Sequence, residues 1–145
     1  MRAVPLAITV VAALALVTGC SSGPPDNVKD WYTSGGDKQI EQMRADAARV
    51  NEVSMGTFDQ MGPACEDLLK HLPAAEDLDA IPDKTAQVPW EAALKALRKG
   101  ATECKAGVKA KDGTKTSRGI MAVQMDGIPN LRDTVTRIKA VLDSE

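Results

Sequence analysis

The stretch Pro89–Val108, PWEAALKALRKGATECKAGV, decides the fold class. Trp90, Leu94, Leu97, Ala101, Cys104 and Val108 alternate steps of four and three, which places them along one face of an α-helix. The positions between them carry Glu91, Lys95, Arg98, Lys99 and Lys105, as a water-facing side requires. Pro89, with a fixed φ and no N–H, suits a first helical position, and Lys109, Lys111, Asp112 and Gly113 mark the end.

The same rhythm extends in both directions. Ile40, Met43, Ala47, Val50, Ser54, Thr57 and Met61 predict a helix over about 37–61, with fraying near Gly56. Gly62-Pro63 reads as a restart, and Cys65, Leu68, Leu69 and Leu72 share a face until Pro73 stops it. The segment AAEDLDAIPDKTAQ reads as a loop holding at most a helical turn. A last segment starts near Thr116 or Ser117 and aligns Met121, Met125, Ile128, Leu131, Val135, Ile138 and Leu142. Gly127 and Pro129 predict a kink within it. No stretch sustains the period-two alternation of a strand, so residues 37–145 are expected to form an all-α domain, a small antiparallel four-helix bundle.

The whole chain has 145 residues, a net charge of -2, 26% charged residues, 3% aromatics and one histidine. That composition fits one small domain and argues against a polytopic membrane protein. It also argues against nucleic acid as a partner, since nucleic-acid-binding domains concentrate lysine and arginine on one face.

The first twenty residues, MRAVPLAITVVAALALVTGC, join a basic start at Arg2 to an uncharged run from Val4 to Val17, too short to span a bilayer comfortably. Val17-Thr18-Gly19-Cys20 resembles the lipobox of bacterial lipoproteins. The resemblance implies a signal peptide over 1–19, cleavage between Gly19 and Cys20, and diacylglycerol on the Cys20 sulfur. It implies a domain tethered to the cell membrane on its extracytoplasmic face, with membrane lipid as its first partner. Cleavage leaves a mature chain of net charge -3, because the leader holds Arg2 and no acidic residue. The mature part also resembles small helical lipoproteins of high-GC Gram-positive bacteria (actinobacteria), in its Pro-rich loop followed by Pro89-Trp90, Ala93-Leu94 and Cys104. That likeness implies the helical fold and adds no activity.

Residues 20–36 are expected to hold the lipidated cysteine and a flexible Ser/Gly/Pro tether. Trp31 and Tyr32 interrupt it, either as the first residues docked on the domain or as an aromatic surface for headgroups or a partner. With Cys20 assigned to lipid, Cys65 and Cys104 remain as an even pair in an exported chain and are expected to form a disulfide. A reactive redox pair would ask for closer, CxxC-type spacing.

The remaining groups are weaker signals. His71 is expected on the polar side of its helix, in a structural or neutral role. Glu76, Asp77, Asp79 and Asp83 lack the spacing and mid-loop glycine of an EF-hand, with Pro82 among them, and read as a solvated acidic loop. Met43, Met61, Met121 and Met125 read as adaptable core filling and not as a copper or haem site. No metal and no cofactor is expected. A basic block around Lys95–Arg118, including Lys105, Lys109 and Lys111, follows an acidic block between Glu66 and Glu91. The two blocks can neutralise each other across neighbouring helices, or the lysines can form a surface for anionic lipid, wall polymer or an acidic partner. The chain lacks GxSxG, HExxH, P-loop and Rossmann patterns. The leading expectation is therefore a non-catalytic binding or interaction domain of the cell envelope. The alternative is a carrier or sensor of an apolar small molecule held between the helices; an enzyme built on the acidic loop comes third.

Overall fold

Each amphipathic stripe can leave water only by packing on another, and in the computed structural model, which describes residues 24–144, they close into a ring. The helices are α1 (Pro24–Trp31), α2 (Asp37–Glu52), α3 (Phe58–Glu76), α4 (Lys84–Ala110), α5 (Gly113–Ala122) and α6 (Ile128–Leu142), with π-helical turns at Tyr32–Gly36 and Val123–Gly127. No strand occurs among the described residues. α5, the second π turn and α6 act as one long kinked helix running antiparallel to α4. Gly107 lies against Thr116, Gly100 against Gly119 and Val123, and Leu97 against Gly127. α3 packs between α2 and α4, and α6 closes the ring on α2. The result is the expected antiparallel four-helix bundle, stapled between α3 and α4 by a disulfide from Cys65 to Cys104, whose Cα atoms are 6.2 Å apart.

The core follows the sequence stripes: Ile40, Met43, Leu68, Leu72, Leu97, Leu131 and Ile138 are fully buried. The kink expected at Gly127 and Pro129 takes the form of the π turn at Val123–Gly127. Pro129 cannot donate to the carbonyl one turn back, and the extra residue in the turn absorbs that loss.

Several boundaries differ from the sequence reading. The helix expected over 37–61 ends at Glu52, and a new one begins at Phe58, where Gln60 Oε1 accepts a hydrogen bond from Thr57 N at 2.9 Å. Ser54 and Thr57 therefore belong to a turn and a cap. Pro63 and Pro89 do not open helices; both lie in the second turn, five residues after the first helical residue, and Pro73 lies inside α3 three residues before its end. Asp83 caps α4, its carboxylate accepting from Ala86 N at 2.9 Å. Asp112 does the same for α5 through Lys115 N at 2.9 Å, which starts that helix at Gly113, before Thr116.

The tether is corrected most. Residues 24–31 are helical and pack on α6, with Val28 fully buried. Trp31 meets Trp90 edge-to-face at 6.4 Å, and its indole N–H donates to the Asp79 carbonyl at 2.7 Å. Gly35, at φ 135°, turns the chain from this segment into α2, a conformation that favours glycine. Two buried apolar side chains outweigh the Ser/Gly/Pro composition of the segment. The packed domain therefore includes residues 24–36 and does not start at residue 37. The signal peptide, Gly19 and Cys20 lie outside the described residues.

Candidate functional site

The sequence-derived candidates fall at different places on the bundle. Trp31 is only 8% exposed and serves the core, so it is not a binding surface; Tyr32 is half-buried against the same cluster. Arg98 makes a two-point contact to Glu76, Nε to Oε1 at 2.6 Å and Nη2 to Oε2, and this bond with Glu76 raises the arginine pKa further. Lys105 Nζ stands 3.4 Å from Glu66 Oε1. The acidic α3 and basic α4 thus neutralise part of each other, and Lys105 is drawn into that ladder. Lys109 and Lys111 stay exposed at the C-terminal end of α4, Lys111 in the left-handed capping conformation at φ 55°.

His71 has partners that the linear sequence does not announce. Its Nδ1 lies 2.8 Å from Oδ2 of the largely buried Asp46 on α2, while Gln42 Nε2 reaches both Asp46 oxygens at 3.1 and 3.2 Å. A carboxylate only accepts, so Nδ1 carries the proton toward Asp46, and the 3.1 Å approach of Gln42 Nε2 to that same nitrogen is then a contact without a hydrogen bond. The trio is a polar seam between α2 and α3 that keeps a buried carboxylate paired. Among the described residues no hydroxyl or thiol hydrogen-bonds to His71.

The acidic loop is shared out among structural tasks: Glu76 to Arg98, the Asp79 carbonyl to Trp31, and Asp83 to the cap of α4. Thr85 donates its hydroxyl to the Asp83 carboxylate, and this bond, with two backbone N–H donors, holds Asp83 below the ordinary aspartate value of 3.8. The methionines divide: Met43 is buried and Met61 half-buried, whereas Met121 and Met125 are exposed. The core-filling expectation therefore fails for those last two.

The surface feature that joins apolar and charged chemistry is a groove of about 560 Å³ between α2 and α6. Its floor is Ile128, Leu131 and Val135 of α6, spaced one turn apart, with Leu131 buried and the other two half-buried. The α6 rim carries Arg132, Thr136 and Lys139. The facing α2 rim carries Glu41, Arg44, Ala45 and Ala48, and the two small alanines leave the floor uncovered. Gln124 Nε2 donates to Asn51 Oδ1 at 2.8 Å, which places the end of α2 beside the start of α6 and makes the two helices antiparallel. The volume lies within the range of small-ligand sites, but the space opens along the surface and not among the four helices. Sequence reading missed this site because Ala45 and Ala48 read as ordinary helix formers.

No helix among the described residues is long and apolar enough to cross a membrane. The fold and these features define a disulfide-bonded helical bundle with a basic-rimmed surface groove. Compared with models of known families, with curated proteins and with solved structures, the chain matches none.

Proposed function

We propose that the chain is a lipid-anchored, extracytoplasmic, non-catalytic domain that binds a component of the cell envelope, a protein, a polymer or a lipid. The observation that carries this reading is the Cys65–Cys104 bridge. It accounts for two of the three cysteines, suits an oxidising compartment, and leaves Cys20 at the end of the lipobox-like sequence as the remaining thiol. The polar seam around His71 and the capped acidic loop have structural duties that need no catalytic role. The apolar floor of the α2–α6 groove supports the second reading, a carrier of an apolar molecule, at the surface and not in the core.

The test is expression with the native leader in a bacterial host, followed by detergent phase separation and mass measurement of the mature protein. The wild type is expected in the detergent phase with an acylated N-terminal Cys20, and Cys20→Ser in the aqueous phase. An unacylated wild type, or a mature chain starting elsewhere than Cys20, overturns the anchoring.

A further inference from the structure

The groove between α2 and α6 sets three cations, Arg44, Arg132 and Lys139, against one carboxylate, Glu41, on a chain whose net charge is negative. Glu41 is already engaged by Arg44 at 2.7 Å. Among the described residues, Arg132 and Lys139 have no carboxylate partner, although the neighbouring Arg137 pairs with Asp133 at 2.9 Å. One wall of the groove is thus free positive charge, and the floor is the aliphatic strip of Ile128 and Val135. An occupant that satisfies both is an anion joined to an aliphatic chain.

Two other occupants fit poorly. The leader of this chain is apolar but carries Arg2 and no acidic residue, the wrong sign for this rim. A second copy would need an acidic patch to offer, and the acidic face of α3 is already partly matched by α4 through Glu66–Lys105 and Glu76–Arg98. An anionic membrane lipid has the right sign and chemistry, and the chain position puts it within reach. Three residues separate Cys20 from Pro24, four steps along the chain, so whatever their conformation an anchored sulfur stays within about 14 Å of α1, which packs on α6.

We infer that the α2–α6 groove binds an anionic phospholipid, its phosphate held by Arg132 and Lys139 with help from Arg44, and an acyl segment lying over Ile128 and Val135 beside Ala45. This names the ligand of the binding role proposed above and rests on that role, but not on acylation of Cys20.

The chain from Pro24 to Glu145 contains the six helices of the described residues, their disulfide and their buried core, so it serves as the test protein without the anchor. Its titration with monomeric dihexanoyl phosphatidylglycerol is expected to give saturable heat, with the phosphatidylcholine analogue binding about tenfold more weakly or not at all. Arg132→Glu with Lys139→Glu is expected to weaken the phosphatidylglycerol about tenfold or more. Ala45→Leu, which fills the groove without changing charge at an exposed position, is expected to weaken binding while the variant melts like the parent. Inorganic phosphate at equal concentration is expected not to compete. Equal binding of the two lipids, or indifference to both variants, overturns the inference. Full competition by inorganic phosphate makes this a phosphate site and also overturns it, as does groove closure by a dimer seen as a doubled mass. Loss of Cys20 acylation with phosphatidylglycerol binding intact removes the anchor alone; intact acylation with no lipid binding removes this inference alone.

Discussion

At the scale of single residues, the closest packing in the molecule depends on the absence of side chains. A methyl group on Gly119 would collide with the backbone nitrogen of Cys104 and the carbonyl oxygen of Gly100, so α5 sits directly on the backbone of α4. Backbone atoms cannot swing aside as a flexible side chain can. Gly119→Ala is therefore expected to cost about 3 kcal/mol, at the upper end for overpacking, read as a lower midpoint of urea unfolding. Gly113 supplies the control, because it heads the same helix with open space where a Cβ would stand and an ordinary φ. Gly113→Ala is expected to leave the midpoint unchanged or raise it by roughly 0.5 kcal/mol. Equal loss at both positions would mean that helix propensity, and not contact with α4, governs this segment. Gly113 reads as part of a helix end in the sequence and Gly119 gives no signal there; only the packing separates their roles.

At the scale of the elements, start signals decide where each helix lies. Asp83 accepts from Ala86 N and Thr85 Oγ1, so its charged form is favoured in the folded state and its pKa lies below 3.8. A depressed carboxylate stabilises the fold above its unfolded value, and that contribution fades as pH falls through the lowered folded value. Asp83→Ala is expected to cost about 1 kcal/mol at neutral pH. The gap to wild type is expected to narrow in acid below the ordinary aspartate range, as read by thermal melts across pH. A gap that holds steady in acid would show that the charge of the cap contributes nothing. The stripes at Trp90–Val108 and Leu131–Leu142 were legible because a buried face repeats at helical period. The starts at Phe58 and Lys84 were legible in principle, as Thr57 with Gln60 and as Asp83, but Pro63 and Pro89 carry the stronger local start signal. In a second turn a proline loses one hydrogen bond, which the surrounding packing outweighs. The cysteine pair could be read by elimination alone. The pairing of His71 with Asp46 and the α2–α6 groove could not, because they depend on which faces of distant helices meet.

At the scale of the whole molecule, the proposed anchor at Cys20, so close in sequence to Pro24, would set an orientation. The eight residues of α1 add about 12 Å to the 14 Å reach from Cys20, so an anchored sulfur lies within roughly 26 Å of Trp31. Trp31 packs on Trp90 near the start of α4, and the end of α6 lies there too, since Lys84 and Arg137 line one shallow surface. α4 then runs 27 residues, about 40 Å, before reaching Lys109 and Lys111. Those lysines accordingly stand at the end of the bundle away from Trp31, and under the proposed anchoring they are the basic end turned from the leaflet. The disulfide, closing a 39-residue separation, adds about 4 kcal/mol to the stability of this bundle in the chain-entropy account. A single cysteine introduced in place of exposed Ala140 or of Lys111 can carry a fluorophore, since Cys65 and Cys104 are bonded to each other. With the acylated protein in vesicles bearing a headgroup quencher, the label at position 140 is expected to be quenched strongly and the label at 111 hardly at all. Equal quenching at the two positions would mean that the bundle lies flat on the membrane, and the basic end would then be a second lipid contact.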